Sequence, residues 1–322
     1  MKIGVFNVVL QDMSLEEACA FLQEQGVEAI EVGCGGYPGK SHCNPAELLA
    51  DEGKRKEFAN TIASHGLTIS GLSSHGNMLH PVKEVAARFE EDLVQAVLLA
   101  EQLGVKIVNT FSGCPGASPE DRTPCWITTP WPEDFSKALE YQWNDVLIPY
   151  WKEKAAFARE HGVKFALEMH PGFPVYNTRS LLKLREAVGE EIGANLDPSH
   201  LLWQGMDPCA VIRTLGKAGA IYHFHAKDTK IDTYNTAVNG VLDITHYSDE
   251  QNRSWMFRSV GYGQGTDFWK HVVSELRMAG FEGALSIEHE DSLMSGREGL
   301  TKAIQCLKDV VLREDRGSMY WA

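Results

Sequence analysis

Glu168, Asp197, His225 and Glu288 each close a short apolar run in this 322-residue chain: VKFALE, IGANLD, AIYHFH and GALSIE. The intervals between them are about 30 residues, one strand plus one helix, except the last, which is about twice as long. In a parallel barrel the ends of consecutive strands converge on one mouth, so side chains spaced this way meet. An acidic group ending an apolar strand is costly unless a cation, a hydrogen bond or water compensates it. A cap or a salt bridge explains one such residue. Four in register point to a shared ion.

Three carboxylates and one imidazole suit a hard to borderline divalent cation. Mn²⁺ is the expected ion for this mixed set, with Mg²⁺, Co²⁺ and Zn²⁺ as alternatives. Four protein ligands on a six-coordinate ion leave two positions, which adjacent oxygens of an α-hydroxy ketone can fill. The chemistry this implies is acidification of a C–H beside a carbonyl. Two carboxylates on opposite faces can then remove a proton and return it.

The elements that position these residues follow a strand-helix rhythm. Strand-like runs occupy 2–10, 27–33, 67–73, 105–111, 163–169, 192–198, 220–226 and 283–289. Ser14 with Glu16 and Glu17 opens an amphipathic helix ending near Gly26. Gly26, Gly66, Gly104, Gly162 and Gly280 each precede a strand closely, as helix C-caps do. Eight units predict a single (β/α)₈ TIM barrel spanning 1–322, rather than an open doubly wound sheet; the segment after the first strand, NVVLQDMS, has no glycine. Two insertions break the rhythm, giving long loops after strands 4 and 7: residues 113–140, rich in Pro with Trp126 and Trp131, and residues 228–266, with Asp228, Lys230, Arg253, Arg258 and GYGQG. Both fall on the side where substrate loops are expected.

Further residues can face the same mouth. His170 lies two after Glu168, and Pro171 and Gly172 then end the strand, so the ring is expected near the metal as a substrate contact or a supporting group. His223 and His225 share a face, with His225 nearer the mouth; Glu288 and Glu290 also share one. His75, past the third strand, is a substrate-contact candidate against a surface-loop alternative. Lys227 is expected to face outward in a regular strand, unless the chain bends at Ala226. Asp228 either pairs with a loop arginine or touches substrate. Trp126, Trp131, Phe111 and Tyr37 offer flat faces to sugar C–H groups or simply pack the loops. GCGGYPG and GYGQG can present N–H groups to a phosphate, although such runs also serve as turns.

The phrases LEMH, NLDPSH, HFHAKD and SIEHED, in this order and separation, resemble the xylose isomerase-like barrel superfamily, and within it the sugar phosphate isomerase/epimerase group. The likeness spans nearly the whole chain. It implies that Glu168, Asp197, His225 and Glu288 bind one divalent metal, that Glu168 and Glu288 are also the acid/base pair, and that His200 contacts substrate oxygens. Family epimerases carry an arginine about six residues beyond the metal-binding histidine. Ile231 stands there instead, which leaves Lys230 or Arg258 as substitutes, with Arg258 expected at the substrate. The implied activity is sugar isomerisation or epimerisation through an enediolate. Alternatives are β-elimination by a lyase, a dehydratase or a 3-keto-glycoside-cleaving enzyme, and, more remotely, a non-catalytic sugar-binding barrel.

A net charge of −14 disfavours nucleic acid and anionic membrane as partners and counts against a related nuclease. The expected partner is a small sugar or sugar derivative, with homo-oligomerisation left open. Seven cysteines without a CxxC pair suggest neither a disulfide framework nor a cysteine zinc site. The N-terminal segment lacks the pattern of a signal peptide, and no run approaches the roughly 18 apolar residues of a membrane span, so a cytoplasmic location is expected.

Overall fold

The computed structural model describes residues 1–315 and 317–321. Eight parallel strands close into a barrel: β1 (Lys2–Phe6), β2 (Ala29–Gly36), β3 (Thr68–His75), β4 (Ile107–Thr110), β5 (Lys164–Glu168), β6 (Ile192–Leu196), β7 (Ile221–Ala226) and, later in the chain, β10 (Ala284–Ile287). Two more strands, β8 (Asp228–Ile231) and β9 (Trp255–Arg258), form a separate antiparallel ribbon. Neighbours around the barrel follow chain order, and β1 pairs with β10 to complete the ring.

Helices cover the outside through apolar stripes at helical spacing. In the helix Thr266–Met278 the buried set includes Trp269, Val272, Val273 and Leu276; in Gly296–Val310 it includes Leu300, Ala303, Ile304 and Leu307. Both stripes have the i, i+3, i+4, i+7 pattern that lays one face on a sheet. The first helix, Leu15–Glu24, starts with a reciprocal cap between Ser14 and Glu17.

Each of the five glycines expected to end a helix adopts φ between 65° and 77°. Immediately after each, an apolar residue donates its N–H to a carbonyl five residues back, as Val105 does to Ala100 at 2.9 Å. This is the hydrogen bond of a Schellman motif. It turns the chain from helix into strand at the bottom of the barrel, which leaves the strand C-termini to form the mouth.

Strand ends differ from the sequence expectation. The run 2–10 stops pairing at Phe6, and Asn7–Leu10 is a 3₁₀ turn, because the Asn7 side chain accepts from Gly33 N at 2.9 Å and holds the chain off the sheet. β2 extends to Gly36 through two register shifts against β3.

Both insertions carry ordered structure. The first ends in the helix Glu133–Glu140, which continues through a π-turn into Ile148–Glu160. Gln142 in that turn donates to Cys125 O at 2.7 Å and to Gly116 O at 3.1 Å, tying the loop down. The second, expected as a loop, folds as the ribbon plus a short helix, Thr233–Asn239. Asp228 neither pairs with an arginine nor faces the pocket. Its carboxylate accepts from Gly261 N, Gln264 N, Thr229 N and Trp269 Nε1 at 2.8–3.0 Å, fastening the ribbon to GYGQG.

All seven cysteines are free thiols. No helix among the described residues is long and apolar enough to cross a membrane. At Gly104 an added Cβ would meet open space, so Gly104→Ala tests the backbone alone; it is expected to destabilise the fold by about 1 kcal/mol in urea unfolding, and an unchanged midpoint would remove the left-handed requirement.

Candidate metal and active centre

Glu168 is the last residue of β5, His225 the penultimate residue of β7, and Glu288 directly follows β10. Asp197 follows β6 and caps the short helix Pro198–Trp203. Its Oδ1 accepts from Ser199 N at 2.8 Å, which leaves Oδ2 aimed at the mouth. One donor atom from each of the four residues lies within 4.8 Å of the others. Asp197 Oδ2, His225 Nδ1 and Glu288 Oε2 are buried without a properly directed hydrogen bond. Two carboxylate oxygens and a ring nitrogen converging on one buried point, close to Lys227 Nζ, fit a cation.

His200 sits on the first turn of the Asp197-capped helix and so faces the same way as its cap. Its Nε2 lies 3.0 Å from Glu168 Oε1 and 3.4 Å from Asp197 Oδ2. His75, the last residue of β3, is buried and brings Nε2 to 3.1 Å from Glu168 Oε2; it is not a surface-loop histidine. His170 packs against His200 with ring centroids 4.2 Å apart. Both burial and the neighbouring His200 push its pKa down, to about 3, so the ring is neutral near neutral pH.

Burial opposes ionisation of Glu168, yet hydrogen bonds from His200 and His75 and the charge of His225 outweigh it and hold the carboxyl well below its ordinary range. For Glu288, burial is likewise outweighed by Lys227 and His225, which bring it to about 2. Both carboxylates are therefore charged near neutrality and able to accept a proton.

Lys227 follows the second of its two expected readings, a bend at Ala226 that redirects it. The chain leaves the barrel after Ala226 and begins the ribbon at Asp228, so the alternation of β7 stops there. The ammonium turns into the mouth, 2.8 Å from Glu288 Oε2, 3.2 Å from Asp197 Oδ2 and 3.1 Å from Glu290 Oε2. Burial opposes its charge, but Glu288, Glu290 and Asp197 raise its pKa well above the ordinary lysine value.

Sequence reasoning passed over Glu31, although it interrupts the apolar run AIEVG as the other acidic residues end theirs. It is fully buried beneath the cluster. Ser73 Oγ and Ser286 Oγ each donate to it at 2.5 Å and Asn109 Nδ2 at 2.8 Å. His225 Nε2 lies 2.9 Å from its Oε1. Burial opposes a charge on this ring, but Glu31 and Glu288 raise its pKa well above the ordinary histidine value, with Nε2–H directed at Glu31 and Nδ1 3.1 Å from Glu288 Oε2. A cation at Nδ1 would displace the proton there while Nε2–H stays on Glu31. Phe6, also passed over, stacks on His225 at 5.6 Å.

Above the cluster lies a cavity of about 220 Å³ whose lining includes Phe6, Tyr37, Phe111, His170, Lys227 and Glu290. It is smaller than a drug-sized pocket and suits one sugar-sized molecule. Arg258 and Trp126 do not join this lining. The Arg258 guanidinium is 2.9 Å from Glu250 and 3.6 Å from Asp291. Trp126 packs edge-on to Tyr176 and against the ribbon cluster of Trp203, Trp255 and Phe257, while Trp131 is exposed. Phe257 of the ribbon does reach the centre, 5.3 Å from the His200 ring and 4.7 Å from Lys227 Nζ.

The chain is 40% identical to uncharacterized protein YfiH of Bacillus subtilis (strain 168), over 97% of its own length and 99% of that protein's. Among solved structures, it is similar to the probable 3-DHS dehydratase AsbF of Bacillus anthracis, with TM-score 0.66 and 18% identity, covering 96% of this chain and 99% of that one. It is also similar to a D-tagatose 3-epimerase-like protein, with TM-score 0.63 and 20% identity, covering 96% and 98%. The family model described as xylose isomerase-like TIM barrel matches residues 19–310. Built as a closed eight-stranded barrel whose strand ends gather carboxylates and histidines at one mouth, the chain belongs to the xylose isomerase-like TIM barrel family.

Proposed function

We propose that the protein is a divalent-metal-dependent isomerase or epimerase of a sugar or sugar derivative, working by proton abstraction beside a carbonyl. The observation that carries this reading is the meeting of three carboxylates and one imidazole, Glu168, Asp197, Glu288 and His225, in one buried cluster. So much buried negative charge is expensive without cations. These four residues would hold the ion, with Mn²⁺ favoured by the oxygen-rich set. When bound, it supplies the electron withdrawal that acidifies the C–H next to the carbonyl.

The rest is done by the chain's own groups. Glu168, charged and held by His75 and His200, accepts the proton at a carboxylate oxygen. Glu288, carrying a proton taken up from solvent with the substrate, returns it to the other face, and Glu168 then releases its own proton to solvent, so that the cycle balances. Lys227 Nζ, 2.8 Å from Glu288 Oε2, positions that carboxylate. His170, which lines the cavity, orients substrate oxygens at the mouth, while His200, expected there too, stands outside the lining and holds Glu168.

A second reading, β-elimination in a dehydratase or a 3-keto-glycoside-cleaving enzyme, is favoured by the same lysine. A buried ammonium beside the base can protonate a departing hydroxyl or alkoxide. Incubation with ketoses and 3-keto-glucosides in deuterated water separates the two: deuterium at one carbon with no bond lost supports epimerisation, and release of water or an aglycone supports elimination. Neither outcome across the panel would sink both.

Glu168→Gln and Glu288→Gln, which keep size but remove the base, are each expected to lower turnover by about 10²–10⁴-fold with the circular dichroism spectrum unchanged; wild-type rates in either variant would contradict the assignment. Glu31→Gln is expected to weaken Mn²⁺ binding about 10–100-fold by titration calorimetry, because His225 loses the acceptor that fixes its ring. Unaltered affinity would show that Glu31 does not orient this ligand.

A further inference from the structure

We infer that the site selects an uncharged polyhydroxy carbonyl compound, against its phosphorylated or carboxylated counterparts, and seats one apolar face of it on the Phe6–Tyr37–Phe111 wall. The inference relies on the reading above for the location of the site, and it adds the charge class of the substrate.

The first ground is the charge of the pocket. Glu168, Glu288 and Glu290 line it, while Asp197 and Glu31 lie buried at its floor. The lining holds one cationic side chain, Lys227, and among the described residues no arginine contributes to it. Lys227 is already within 3.2 Å of three carboxylates. Arg258, the nearby cation expected at the substrate, is held by Glu250 and Asp291. Even with the two charges of a divalent ion added to that of Lys227, the five carboxylates keep the site net negative, and an anionic group entering here finds no free guanidinium or ammonium to receive it.

The second ground is the accounting of backbone donors. In both glycine runs that resemble phosphate cradles, several N–H groups are already engaged within the fold. In GCGGYPG, Gly33 N donates to Asn7 Oδ1 at 2.9 Å, Gly36 N to Asp92 Oδ2 at 2.8 Å and Tyr37 N to His75 O at 2.8 Å. In GYGQG, Gly261 N and Gln264 N donate to Asp228, and Tyr262 N donates to Ser259 O at 2.9 Å. A cradle needs convergent free N–H groups; these three in each run are spent on the fold, and no residue of GYGQG lines the cavity.

The third ground is the wall facing the carboxylates. Phe111 lies edge-on to His75 at 4.7 Å, stacks on Phe173 at 4.6 Å and neighbours Tyr37 at 6.2 Å. Rings fixed in this way present a flat surface to the C–H face of a sugar.

The test reads binding without turnover. The Mn²⁺-loaded protein is titrated calorimetrically with D-fructose, D-tagatose and methyl 3-keto-β-D-glucoside, and with D-fructose 6-phosphate, D-tagatose 6-phosphate and D-glucuronate. At least one neutral compound is expected to bind, each phosphate at least about ten-fold more weakly than its parent, with glucuronate weaker than the neutral ligands. Phe111→Ala is expected to weaken the neutral ligand, and Glu290→Lys to narrow the gap to the phosphate. Binding of a phosphate or of glucuronate as tight as the neutral compounds would overturn the inference, as would silence from every neutral compound. Selective neutral binding without deuterium exchange would instead remove the proposed reaction and leave the charge selectivity in place.

Discussion

Buried negative charge at the barrel mouth is the constraint on which the other features depend. Glu31, Glu168 and Asp197 are almost wholly withdrawn from water, and Glu288 is nearly so. Each ion would cost several kcal/mol if it were left unpaired. The histidines, Lys227 and the hydroxyls of Ser73 and Ser286 are arranged as the compensation. Glu168 takes His75 and His200, Glu288 takes Lys227, and Glu31 takes both serines with His225. Asp197 and Glu288 share the one ammonium of Lys227, and with Glu168 and His225 they bring four ligand atoms within 4.8 Å of one another. The place a cation would take is thus marked by the crowding of carboxylates around a single lysine.

The barrel makes this concentration tolerable. Parallel pairing fixes the strand ends at one level, as when Glu168 stands opposite Asn195 and Ser286 opposite His225. Below that level the interior is filled by side chains and water cannot reach it. The fold therefore supplies a rigid frame and a dry floor, and the loops decide what enters above.

Part of this was legible in the chain because its physics is local or periodic. Glycines 26, 66, 104, 162 and 280 mark helix ends by a conformation that only they adopt cheaply. Glu168, Asp197, His225 and Glu288 stand out because a charged or metal-binding group at the end of an apolar run needs a reason. Glu31 obeys the same rule and was readable in AIEVG. What escaped or stayed open depends on long-range packing. Lys227 enters the mouth because a ribbon starts one residue later, and the partners of that ribbon lie near residue 255. Arg258 looked available because its partners Glu250 and Asp291 are set by the way the ribbon folds back.

The ribbon is fastened to the barrel by the Asp228 carboxylate and by the helix Pro198–Trp203, where Thr229 Oγ1 donates to Ser199 O, Trp255 stacks on Trp203 and Phe257 lies edge-on to His200. Its internal bonds are separate from the eight-stranded ring. Residues 229–258 are accordingly a segment outside the ring whose drift leaves strand closure in place and reaches the centre at one point, where Phe257 lies beside His200 and Lys227. A change in the ribbon is thus felt at the carboxylates only as a shift in the two groups that compensate them.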